Sequence, residues 1–378
     1  LVPSDWYLSG VACTSDQGDV ETWDEINLDP DETVTCVFTD TKPSADLSLV
    51  PESDTNPIGE DHVLTATLRL DEDGDEVYEL TPAGETITFT TSTGASLVPG
   101  NSCQTDSSGQ CTVTLEAPLS TGEAWVKAHW NGSVETVDLS VESGEATKRW
   151  VDAFIAVTPL TATNEVKDYH TLTATVMVDD GSGAGWDPAP PGTPVTFTLL
   201  NNTAGATFVG GKNTCQTLGG QCTVRIVADE AGEVEIHAEA DVLVGGVTGI
   251  TLHRETGGEE NPDAQKTYVD AQIDLTPLDA TNEVNDEHVV TATVQVHDGI
   301  TWTLPQDGTV ITFSLPVGNA SFENNENTCQ TMDGQCSVTI NADYPDLIKI
   351  RAATDVEVGG LTLHRETDGM RENSEDAT

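Results

Sequence analysis

The chain has 378 residues, 14 Lys+Arg against 65 Asp+Glu, and a formal net charge of -51. So acidic a surface repels nucleic acid and anionic membranes, which excludes both as partners, and it attracts cations or a screening high-salt medium. Hydrophobic residues make up 37% but aromatics only 5%, so the cores must be small and rich in β-branched side chains. No apolar run approaches the roughly 20 residues of a membrane helix, which excludes membrane insertion within this sequence.

In chain order, residues 1–41 come first as a distinct segment. Trp6, Leu8 and Val11 with Val34, Cys36 and Phe38 are expected to make half a small sandwich that Cys13 and Cys36 would staple. Half a module cannot bury its own face, so strands from outside this range are expected to pair with it. "LVPSDWYLSG" has no export-signal pattern, and an export signal and anchor are expected outside this sequence.

From Lys42 onward the chain repeats. Cys103, Cys215 and Cys329 lie 112 and 114 residues apart, and each is followed by a second cysteine, Cys111, Cys222 or Cys336. "TPLTATNEVKDYHTLTATVMV" (Thr158 to Val178) matches "TPLDATNEVNDEHVVTATVQV" (Thr276 to Val296), with a looser copy from Val50 to Leu70. Period-two alternation prevails: Leu172, Ala174, Val176 and Val178 face one way and Thr171, Thr173 and Thr175 the other. Val195 with Phe197 and Leu199, Val224 with Ile226, and Val234 with Ile236 repeat it, and Asn131-Gly132 is a hairpin signal. About seven short strands per repeat and no amphipathic helix predict an all-β chain of tandem immunoglobulin-like β-sandwiches in an elongated array. The expected division is a partial module at 1–41 and repeats at 42–149, 150–265 and 266–378, the last ending in an acidic linker.

The eight cysteines form four local pairs, Cys13–Cys36, Cys103–Cys111, Cys215–Cys222 and Cys329–Cys336. Zinc would want shorter spacings and converging His or Cys, whereas local pairs at matching repeat positions fit disulfides formed in an oxidising, extracellular or cell-surface compartment. A redox-active pair needs a thiol acidified by neighbouring cations, and only Lys212 lies near one clip.

The run "TATNEV…H-x-[LV]-[TV]-TATV…T-C-x-T…G-Q-C-x-V" resembles the bacterial immunoglobulin-like domains of invasin and intimin type adhesins, in three copies from Lys42 to about Thr367. "DWYLSGVAC…ETVTCVFTDT" resembles the last strands of a prealbumin-like module of the collagen-adhesin repeat type. The isopeptide bond that such modules carry is not expected, because no Lys precedes Lys42 and Asp40 stands where that family has Asn. The resemblance implies a surface stalk, adhesin or filament subunit whose partners are copies of itself or neighbouring domains of a longer chain, with a host or matrix ligand as a further partner. Such domains also serve as binding modules, and here Trp186 and Trp302, in corresponding connections, would grip a carbohydrate or protein.

No catalytic residue is expected. His62, His170 and His288 recur at one repeat position, and His253 and His364 at another in "LHRET", which fits packing or turn bonding rather than catalysis. No nucleophile-elbow, zinc-protease or phosphate-cradling motif occurs. Two acidic sets are candidates for calcium, the one cofactor considered. Asp71, Asp73 and Asp75 alternate like the opening of a calcium loop, yet Gly74 is misplaced and no Glu stands at the twelfth position. Glu165 with Asp168, and Glu283 with Asp286, fall in the turn after each repeat's first strand, and the linker adds Glu255, Glu259, Glu260 and Asp263; calcium held by these oxygens would stiffen a joint, and the rival reading is a flexible acidic linker. Asn131, Asn201 and Asn319 open glycosylation sequons. "ENSEDAT" parallels "ENPDAQ" before "KTYVDA", so both ends are expected to be cut from a longer array.

Overall fold

The computed structural model describes residues 2–80, 83–246 and 249–378. β-strands predominate among them, with 3-10 turns at Val209–Gly211 and Glu323–Asn325. No described helix is long and apolar enough to cross a membrane. The chain divides into two compact units, one of residues through 152 with 178–187 and 244–252, the other of 153–177, 188–243 and 253–378.

In the first unit, Tyr7–Ser15 pairs antiparallel with Val34–Thr41, and Cys13 faces Cys36 across the hairpin. Among the described residues this sheet holds these two strands alone. No strand from residues 42–378 joins it among the described residues, and Val37 and Phe38 are more than half exposed. The hairpin is anchored otherwise: Tyr7 packs on the neighbouring core and donates its hydroxyl to the Glu72 carbonyl at 2.8 Å.

The first sandwich then follows. Ser44–Val50, His62–Asp71, Gln110–Leu115 and Leu97–Val98 form one sheet in that order. Thr86–Thr91, Gly122–Val134 and residues 146–151 build the facing one. Alternation sends Leu64, Ala66, Leu68 and Leu70 inward against Ile87, Phe89, Val113 and Trp130, while Val63 stays outside. Such small, interdigitated cores gain most of their stability from apolar burial, about 25 cal/mol per Å².

The chain changes sheets within its first strand. Ser44–Val50 is antiparallel to His62–Asp71, whereas Ser53–Pro57 runs parallel to residues 147–151 in the opposite sheet. The cis peptide Val50-Pro51 lies between, and Thr158-Pro159 and Thr276-Pro277 hold the same place in the later repeats. An antiparallel sandwich with this parallel edge is immunoglobulin-like.

One turn was misread in the sequence. Asn131 and Gly132 lie inside the strand Gly122–Val134, opposite Ser140 and Leu139, and the chain reverses at Glu135. Gly132 is needed for packing instead. A Cβ there would sit 2.2 Å from the Trp130 ring, whose Nε1 donates to Glu85 at 2.9 Å.

The second unit holds the later two sandwiches. Leu172, Ala174, Val176, Val195, Phe197, Ile226, Val234 and Ile236 are buried as the alternation required. The strand Ala264–Thr276 serves both: residues 264–268 pair with Gly232–Ile236, and residues 270–276 pair with residues 291–297. A division at 265/266 thus falls inside a continuous strand.

All four disulfides are formed as paired in the sequence. In the middle repeat Cys215 lies opposite Val195 in one sheet and Cys222 opposite Ala174 in the other. Each repeat clip therefore ties two sheets together across the edge of the core. In the loop-entropy model so small a ring contributes about 2.5 kcal/mol.

Candidate functional site

A buried polar site of the second unit lies where its two sandwiches meet, and it is built on the shared strand. Thr161–Glu165 runs parallel to residues 265–269, closed by Gln265 N–H to Leu160 O at 2.7 Å and Val166 N–H to Val269 O at 3.0 Å. Asp270 follows on the same strand. Arg365 ends Leu361–Glu366, the outer strand of the third repeat's terminal hairpin, whose Gly359 packs on Val269 and Thr163.

Arg365 is 1% exposed and uses its planar fork fully. One terminal nitrogen lies 2.8 Å from Glu165 and also donates to the His364 carbonyl at 2.8 Å. The other reaches Asp270 at 2.5 Å, and Nε donates to the Ala271 carbonyl at 2.5 Å. Arg371 adds a second guanidinium to Glu165. One cation from the third repeat thus neutralises a carboxylate of the second repeat and one of the shared strand. A lysine could not reproduce this fork. What the arrangement can do is hold two sandwiches in one geometry.

A second buried cation sits on the shared strand, four residues before Asp270. Lys266 is 1% exposed, donates to Asn164 Oδ1 at 2.6 Å and lies 5.0 Å from the Tyr268 ring centre. Burial lowers its pKa to about 8, with the charge of Asp168 opposing that shift. Burial, then Lys266, pushes His170 down to about 4, and burial raises Tyr268. The first repeat solves the same problem with Lys148, which meets Asp54 at 3.1 Å beside His62. The histidine repeated along the sequence thus walls a slot that holds a buried lysine strand.

The remaining sequence candidates are placed as follows. Glu165 is engaged by Arg365 and Arg371, and Asp168 acts on Lys266 and Tyr268. Glu283 and Asp286 line a cavity of the third repeat. Asp71, Asp73 and Asp75 bring one oxygen each within 4.8 Å of one another. Their carboxylates also hold the loop: Asp71 accepts the N–H groups of Gly74 at 2.7 Å and Glu76 at 3.1 Å, and Asp75 that of Val77 at 2.8 Å. Asn131, Asn201 and Asn319 are exposed. Trp186 is 44% and Trp302 37% exposed, the latter edge-on to His297 at 5.2 Å.

Sequence reasoning missed the guanidinium lock and a polar cluster around His237. His237 meets Asp263 at 3.0 Å and Glu255 at 3.6 Å, with Glu239 close by. The alternate spacing of His237 and Glu239, which puts both on one strand face, was the available signal.

No protein-family model and no curated protein sequence matches the chain. Among solved structures it is similar to InvD of Yersinia pseudotuberculosis at 15% identity, over 85% of this chain and 96% of that one, with a TM-score of 0.26. It is similar to the ICAM-5 D1–D4 ectodomain fragment at 13% identity, over 86% and 75%, with a TM-score of 0.33. A tetra-tandem repeat from the extending region of a large adhesion protein is similar at 14% identity, over 97% and 91%, with a TM-score of 0.25. At these identities none of them assigns a ligand to this chain.

Proposed function

We propose that this chain is an extracellular structural protein, a cell-surface stalk or filament component of adhesin type, built from sandwiches at 42–149, 150–265 and 266–378 behind a small β-module at 1–41. The observation that carries the reading is the joint at Arg365: two successive sandwiches share one strand and are locked by a buried, fully bonded cation. A spacer that transmits force needs stiff joints, and a catalyst needs a poised reactive group. Four disulfides and the acidic surface suit an oxidising compartment outside the cell. At Glu165 a calcium ion would compete with Arg365 and Arg371, which supports a guanidinium lock at this joint. Stretched from both ends in a single-molecule experiment, the full chain should yield discrete unfolding events, one per sandwich; a smooth, featureless extension would contradict the role.

The partly exposed Trp186 and Trp302 favour a second reading, a carbohydrate- or protein-binding module. Screening the full chain on a glycan array separates the two: the stalk reading expects no saturable binding, and a hit lost in Trp302→Ala would favour the module.

A further inference from the structure

At one place in each repeat a basic side chain sits between two carboxylates, and the second repeat fills that place differently. Ala146 pairs with Val126, Ala264 with Ile236 and Ala377 with Ile350, so the residues that follow, Lys127, His237 and Arg351, correspond. The N–H groups of Ala128, Ala238 and Ala352 donate to Ser143, Thr256 and Thr367 at 2.9, 2.9 and 3.1 Å, in the same register. Lys127 reaches Glu142 at 3.1 Å and Glu145 at 4.0 Å. Arg351 reaches Asp376 at 2.9 Å and Glu366 at 3.8 Å. His237 takes this place in the second repeat, 3.0 Å from Asp263 and 3.6 Å from Glu255.

The second repeat thus has an imidazole where the others have a permanent cation, and it adds an acid. The glutamate of this place faces His129 in the first repeat and Ala353 in the third. In the second repeat Glu239 stands there, and His237, Glu239 and Glu255 bring one ligand atom each within 4.8 Å of one another. Carboxylates side by side on neighbouring strands repel, so this place calls for a positive charge that a histidine does not permanently supply. The rings are oriented to hold one. A carboxylate only accepts, so Nδ1 of His237 donates to Asp263 at 3.0 Å and Nδ1 of His253 donates to Asp241 at 2.9 Å. Both Nε2 atoms then face Glu255 Oε2, at 3.6 and 3.9 Å. Asp263 is nearly buried and also accepts the Thr256 hydroxyl, which fixes the first ring.

From this geometry we infer that the second repeat carries a zinc site, with His237 Nε2, His253 Nε2, Glu255 and Glu239 as ligands and Asp263 and Asp241 as the partners that orient the two rings. Neighbouring ligands of a tetrahedral zinc ion stand roughly 3.3 Å apart, close to the two Nε2 distances to Glu255. Carboxylate-held imidazoles are the usual outer support of such a site, and two nitrogen ligands select a zinc-class ion over calcium. The third repeat is the internal contrast. His364 bonds Asp355 at 2.7 Å as His253 bonds Asp241, but Arg351 and Ala353 replace the other two ligands. The site goes beyond the structural role proposed above and does not depend on it.

The test is calorimetric titration of zinc chloride into the full chain, disulfides intact, after EDTA treatment and dialysis. Roughly a hundredfold excess of calcium is present to occupy oxygen-only sites on the acidic surface. One saturable zinc site is expected, weakened roughly tenfold or more by His237→Arg, which copies the third repeat, and by His253→Gln. His364→Gln should leave the affinity unchanged. Should His237→Arg misfold, His253→Gln, which alters an exposed ring, still decides the matter. No saturable zinc binding beside calcium, undiminished affinity in His237→Arg and His253→Gln, or an equal loss in His364→Gln would each overturn the inference and leave only ion pairs at this place.

Discussion

Replacing Arg365 by Met tests the joint where its energy is concentrated. Methionine keeps most of the aliphatic volume, so the loss is that of the charge and its bonds. Asp270 and Glu165 side chains are 10% and 17% exposed, and breaking a buried ion pair from one side costs about 3–5 kcal/mol. Glu165 keeps Arg371, and Asp270 keeps the Ala271 N–H at 2.8 Å, which places the loss near the lower end, about 3 kcal/mol. At 1.4 kcal/mol per decade that is roughly a hundredfold in a local opening constant. The assay is hydrogen exchange at the Val166 amide, which bonds Val269 O across the parallel strand pair. Its exchange should accelerate by roughly that factor while amides in the first unit are unmoved. Pairing Arg365→Met with Asp270→Asn should recover part of the protection, since the uncompensated buried charge is gone. Unchanged Val166 protection in Arg365→Met would refute the reasoning.

Gly132→Ala should push the Trp130 ring off Glu85 and destabilise the first unit by about 1–3 kcal/mol, read as a shifted tryptophan emission and a lowered thermal midpoint. The pKa of His170 falls from 6.5 unfolded to about 4 folded, so the unfolded state takes up a proton that the folded state resists. Its stabilisation is present above pH 6.5 and is lost as pH falls to about 4, a change of about 3 kcal/mol; His170→Asn should flatten urea melts of the second unit across that window. Replacing both Cys215 and Cys222 by Ser should cost about 2.5 kcal/mol without changing the fold, checked by urea melts and circular dichroism. Adding EDTA should leave Val166 exchange unchanged, because the ions that close this joint belong to the chain; faster exchange would restore calcium to it.

The parts of this fold legible in the sequence were those set by local pattern. The Thr/Val alternation at 171–178 requires a strand with one buried face, and the cysteines repeat at the ends of such strands. Asn131-Gly132 misled because its turn propensity is weak beside the packing of Trp130, a contact that local sequence does not display. Glu165 was legible as an acidic residue at a joint, but not its partner: Arg365 lies 200 residues away in a stretch that reads as polar surface. The hint was internal, since Arg254 and Arg365 both follow "LH" and both donate Nε to a carbonyl of the neighbouring strand, Ala153 and Ala271. Residues 1–41 show the converse. Two strands were legible there and form, whereas the outside strand expected to cover them would come from residues beyond this chain.

The most direct test of the central claim is a pulsed electron-resonance distance measurement across the joint. Spin labels carried on non-natural amino acids, which spare the disulfides, would replace the exposed Thr198 and Thr312, one on each sandwich of the second unit. A rigid joint predicts a single narrow distance distribution in the native chain that broadens in Arg365→Met. A distribution already broad in the native chain, and unchanged by the substitution, would contradict the account.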